Sequence, residues 1–183
     1  MKSVRSVGLP VTLRWLVGSL ADSLVAPLVV ASVLAATALP VQAQFDNVGS
    51  INFPTSSSGE VEQHFLRGVA VLHSFGWNQA VDQFKAAQEI DPDFAMAYWG
   101  ESLAYNHPLI SQMNADEPRK VLQRLAPTAE ERAAKAPTDR EKGFLRAVEV
   151  LWGEGDHVDR RVGYMESMEQ LHEQYPDDSE VAA

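Results

Sequence analysis

The chain has 183 residues, with 25 Asp and Glu against 15 Lys and Arg, a formal net charge of −10. That balance excludes a nucleic-acid binder, which needs a cationic surface to displace phosphate counterions, and it disfavours adhesion to anionic lipid. Hydrophobic residues are 45% and charged residues 22%, a globular composition, and the lack of any cysteine removes disulfides, thiolate metal sites and thiol chemistry.

Residues 1–43 read as an address label rather than as part of the fold. Lys2, Arg5 and Arg14 make a positive front. The stretch from Ser23 to Ala43 is uncharged, its segment Leu24 to Ala31 is apolar, and it ends in Val41-Gln42-Ala43. These features predict a secretory signal peptide cut after Ala43, hence a periplasmic or secreted protein. The alternative is an uncleaved single-span anchor, because about 20 apolar residues cross a bilayer; Pro27, Pro40 and the small-residue exit favour cleavage. Residues 44–58 are polar and rich in Ser, Gly and Asn, and are expected to form a flexible lead-in.

From 59 onward the sequence reads as helix. Ser57…Glu60, Thr128…Glu131, Thr138…Glu141 and Asp177…Glu180 each place a capping oxygen three residues before a Glu. Asp116 with Pro118 is a further start signal. Gly76, Pro92, Pro108, Pro127, Pro137, Gly153 and Pro176 are stops. Apolar residues step by three and four, as in Phe65-Val69-Leu72, Phe144-Val148-Leu151 and Tyr164-Met168-Leu171-Tyr175. The spacing predicts helices near 59–75, 78–90, 94–106, 116–126, 129–136, 139–152 and 157–174, with short loops that bring neighbours together antiparallel.

Within this pattern one unit stands out. Gly68 lies in its first helix; Ala80, Phe84 and Ala87 mark the second, which Asp91-Pro92 ends. Small alanines let two helices nest, a Phe fills the gap between them, and Pro turns the chain into the next pair. A new first helix, Phe94 to Tyr105, follows at once, with Tyr98 and Tyr105 two turns apart on one face. The segment 61–105 resembles the tetratricopeptide-repeat (TPR) family. His64 stands at the usual Trp position, Glu101-Ser102 replaces the usual Leu-Gly pair, and Pro118 falls where the aromatic of the next second helix belongs. Residues 106–136 are therefore an insertion or a diverged pair, and 138–176 a third, degenerate unit. Pro176 to Ala183 repeats the opening of Pro92 to Trp99, which leads us to expect a C-terminally truncated piece of a longer array.

The resemblance implies an all-α architecture of antiparallel helix pairs over 59–183, wound into a right-handed solenoid. Gly68, Ala80, Phe84, Ala87, Pro92 and Tyr98 serve its repeat packing. First helices of such arrays line a concave groove. Carried over residue by residue, the groove slots are Glu62, Phe65, Val69 and Leu72, then Met96, Trp99, Leu103 and Asn106. Their apolar character implies a protein or peptide partner with large apolar anchors; cover by 107–136 or by further repeats would instead make them core. The expected function is a non-catalytic protein-interaction scaffold of the bacterial cell envelope, acting on neither nucleic acid nor, once mature, membrane.

No nucleophile constellation, phosphate-binding Gly-rich loop or His-Glu-x-x-His occurs, so no catalytic residue, metal or cofactor is expected. Glu169-x-x-His172 is one motif where di-iron bundles need two, and Asp156 before His157 reads as a helix cap. The alternative of another class is a metal- or cofactor-binding accessory protein of an envelope enzyme, with His64, His73 and His107 gathered in space.

Overall fold

The computed structural model describes residues 47–107 and 114–182. The expected signal peptide, its cleavage point and the stop at Pro108 lie outside the described residues. Within them the protein is all-helical: α1 Gly59–His73, α2 Trp77–Ile90, α3 Ala95–Leu103, α4 Asp116–Leu125, α5 Ala129–Ala134, α6 Asp139–Leu151, α7 His157–Gln174 and α8 Ser179–Ala182. Among the described residues no helix is long and apolar enough to cross a membrane.

Local chemistry sets most boundaries. Thr128 and Thr138 each form a full capping box, with the Thr oxygen accepting from the Glu131 or Glu141 N–H and the Glu carboxylate accepting from the Thr N–H. Asp156 caps α7 by accepting from the Val158 N–H at 2.8 Å. Two expected caps are shifted by one residue. Ser58, not Ser57, is the N-cap of α1 and makes no side-chain cap bond. Asp178, not Asp177, caps α8, accepting from the N–H groups of Glu180 at 3.0 Å and Val181 at 3.3 Å.

The end of α1 also differs from expectation. The helix stops at His73 because Phe75, one residue before the anticipated Gly76, takes the left-handed conformation with φ 61°. Gly76 N–H bonds to Val71 O and Phe75 N–H to Leu72 O, both at 3.0 Å. This is a Schellman stop with Phe in the place glycine usually holds. Helices α3 and α5 finish two or three residues early in tight turns, where Asn106 N–H reaches Leu103 O at 2.8 Å and Lys135 N–H reaches Arg132 O at 3.0 Å.

Most helices pack on their sequence neighbours, and two contacts skip along the chain. α1 and α2 pair through a three-residue turn, α2 packs on α3, and α3 on α4. α6 pairs with α7, and α7 with α8. The first helices α1, α3 and α6 also lie against one another in series, α1 on α3 and α3 on α6. Helix α4 packs beside α3; Pro118, which breaks the sequence pattern, is buried in its first turn.

Phe84 of α2 locks this arrangement. It is fully buried, and a Cβ on Gly68 would come within 2.7 Å of its ring. A Cβ on Gly100 would come closer still. The ring thus fills space that two glycines on two different helices leave free. Ala80 and Ala87 are fully buried beside it, and Tyr98 donates its hydroxyl to Pro92 O at 3.0 Å, tying α3 to the turn before it.

Candidate functional site

The series α1–α3–α6 presents one aromatic side chain from each helix: Phe65, Trp99 and Phe144. Trp99 and Phe144 lie 5.1 Å apart between ring centroids, Phe65 and Trp99 6.3 Å. A fourth ring, Phe53, fits among them at 5.1 Å from Phe65, 5.4 Å from Trp99 and 5.1 Å from Phe144. Such pairs add about 0.5–1.5 kcal/mol each beyond area burial. Phe53 belongs to the polar lead-in, and it is 2% exposed.

The residues after Phe53 are held by polar contacts from α6. Arg140 donates to Pro54 O at 2.9 Å and to Asp178 Oδ1 at 3.1 Å, while its guanidinium covers the Phe53 ring at 4.3 Å. Glu141 Oε1 accepts from both the N–H and the hydroxyl of Ser56 at 2.8 Å. Its other oxygen completes the Thr138 capping box, so a single buried carboxylate both starts α6 and holds the lead-in. Residues 47–58 are thus no free tether; 53–56 form a strap seated on the three first helices. The expectation of a flexible lead-in fails here because the strap carries its own anchor, a lone aromatic followed by Pro.

This corrects the reading of the groove slots. Phe65, Val69, Met96 and Trp99 are buried, at most 4% exposed, and of these Val69 and Trp99 line a cleft. Among the described residues, the strap and α6 supply cover through Phe53 and Phe144. Leu72, Leu103 and Asn106 are half-buried and line a cleft of about 230 Å³ next to Phe53. Glu62 is half-buried and is not part of the cleft wall. The far side of the cleft is Tyr164 and Met168 of α7, and its rim is His73 with Glu180, 3.1 Å apart. Burial pushes the Tyr164 hydroxyl up to about 12, so it stays a neutral phenol.

Trp99 and Asn106 line this cleft, and Trp99 Nε1 and Asn106 Oδ1 are buried without a hydrogen-bond partner among the described residues. Phe75, whose left-handed backbone was noted above, stands 61% exposed at its mouth.

The histidines go separate ways. His64 Nδ1 meets Gln83 Oε1 at 3.0 Å between α1 and α2, His73 pairs with Glu180, and His107 stacks on Trp77 at 4.4 Å and reaches Ala104 O at 3.1 Å. They do not gather: among the described residues no group of three or more His, Asp or Glu side chains is placed to hold a metal ion.

Sequence reasoning passed over several residues that build this region. Phe53-Pro54 carried no signal that set it apart from Phe45 in the same polar stretch. Arg140 and Glu141 carried a cap signal but no hint of the strap. Glu101 was noted only as a departure from the repeat pattern. It is fully buried and accepts from Gln88 Nε2 at 2.7 Å and from Arg124, cross-linking α2, α3 and α4. Comparison with protein-family models, with curated proteins and with solved structures finds no match to this chain.

Proposed function

We propose that the protein is a non-catalytic interaction scaffold, a TPR-like right-handed array exported to the bacterial cell envelope with its leader cut after Ala43. Its concave first-helix face receives apolar segments of partner proteins. The observation that carries this reading is the seating of Phe53. A non-helical segment, anchored by one aromatic ring and by side-chain-to-backbone hydrogen bonds, already lies on that face. A surface that holds such a segment from its own chain has the chemistry to hold one from another. The solenoid reading draws support from the serial packing of α1, α3 and α6 and from Phe84 wedged between Gly68 and Gly100.

The test is site-specific photo-crosslinking in the native envelope. A benzophenone side chain at Leu103, on the cleft, should capture partner proteins. The same group at Met165, exposed on α7 outside the cleft, should not. Equal capture from both positions, or none from Leu103, contradicts the reading.

A further inference from the structure

The cleft beside Phe53 is walled by more than the three first helices. Its mouth is Phe75 in the turn after α1 and Trp77 at the start of α2, its far wall is Tyr164 and Met168 of α7, and its rim is Glu180 of α8. Phe75 and Trp77 lie 6.2 Å apart with their ring planes at 72°, two walls close to a right angle. An edge-to-face pair leaves ring faces open, and Phe75 is 61% exposed. His107 stacks on Trp77 at 4.4 Å and steadies it. Tyr164, a neutral phenol, adds a third ring. Aromatic faces carry negative potential and attract cations.

The charge of the cleft agrees in sign. The Glu180 side chain is 13% exposed and meets His73 Nε2 at 3.1 Å. Among the described residues that line the cleft there is no Lys or Arg, and the chain carries −10 overall. A carboxylate largely out of water is weakly screened, so its field acts on the cleft. Rings cannot accept the hydrogen bonds that a strongly hydrated lysine-type ammonium gives up on entry; a methylated ammonium has no N–H to satisfy. Size agrees as well. At about 230 Å³ the cleft exceeds the roughly 150 Å³ at which an apolar cavity takes up benzene, so a head group of that bulk fits. Phe75 itself sits at φ 61°, where glycine would stand without strain, and strain of that kind gathers at ligand clamps.

We propose that this cleft binds a small free molecule bearing a quaternary ammonium group, of the choline type. The methylated head lies against the Phe75 and Trp77 rings, with Tyr164 behind it and the Glu180 carboxylate as its counter-charge. This goes beyond the scaffold reading, which concerns partner proteins.

The experiment titrates the full chain calorimetrically with choline and with 3,3-dimethylbutan-1-ol, which has the same shape without the charge. Choline should bind about tenfold tighter or more. Phe75→Leu keeps apolar bulk at the mouth but removes the ring, and should weaken choline binding about tenfold. Glu180→Gln removes the counter-charge and should weaken it about fivefold. Both variants should bind the alcohol like wild type, at a Tm close to wild type. The proposal is overturned if choline binds no tighter than the alcohol, if neither binds, or if both variants bind choline like wild type. Tighter binding of acetyl-Gly-trimethyllysine-Gly-amide than of choline also overturns it, because the ligand would then be a modified protein rather than a small molecule. Choline binding and crosslinking from Leu103 are read separately: loss of the first alone removes this site, and loss of the second alone removes the scaffold reading.

Discussion

Glu101 sits in a run of otherwise apolar or small residues, Ala95 to Ser102, and is 0% exposed. Its carboxylate accepts hydrogen bonds from Gln88 and Arg124, which come from two other helices. Removing one partner of a buried pair strands the other, at about 3–5 kcal/mol in full burial. The Arg124 side chain is 46% exposed and rehydrates, so Glu101→Ala should fall at the lower end of that range in urea denaturation. A double-mutant cycle with Arg124→Ala should show strong coupling. A loss under about 1 kcal/mol, the value of a surface pair, would mean the network is ornamental. Neither partner was legible in the sequence, because a buried acid is recognised only once the residues that neutralise it are placed, 13 and 23 positions away. The capping boxes at Thr128 and Thr138 were legible for the converse reason. Both of their hydrogen bonds close within four residues.

Among the elements, the strap and α8 meet at Arg140. Its guanidinium holds the Asp178 carboxyl below the usual carboxylate range, chiefly by hydrogen bonding, while also bonding Pro54 O. A folded-state pKa depressed below the unfolded one contributes stability above the unfolded value. That contribution is lost as pH falls through the folded value. The advantage of wild type over Asp178→Asn should therefore be full above about pH 4, of the order of 2 kcal/mol, and should shrink at lower pH. Urea midpoints for both proteins across that range check it; a constant or growing gap on acidification contradicts it. Helices themselves were readable from period and caps, apart from their last turns. The packing of α4 on α3 was hidden, since Pro118 stands where an aromatic was expected. The strap was hidden too. A Phe in a Ser-rich stretch has no local reason to be ordered, and its order comes from three helices that close around it.

For the molecule as a whole, the all-helical architecture follows from periodicity, while the site depends on how first helices stack. The sequence places Phe65, Val69, Met96 and Trp99 on this face and leaves open whether they line a groove or form core. They are the floor, and the accessible part is the neighbouring cleft bounded by Leu72, Leu103, Asn106 and α7. His73 of α1 meets Glu180 of α8 across that cleft's rim, so residues 107 positions apart bound one site. The central claim is that the face built by α1, α3 and α6 holds a non-helical segment through an aromatic anchor and backbone hydrogen bonds. Amide hydrogen exchange at Ser56 tests it most directly, since that N–H is donated to Glu141 from a stretch with no helix of its own. The account predicts exchange about tenfold or more slower than an unfolded chain, with protection lost in Phe53→Ala while the α6 amides stay protected. Exchange at the unfolded rate in the unmodified protein would contradict it.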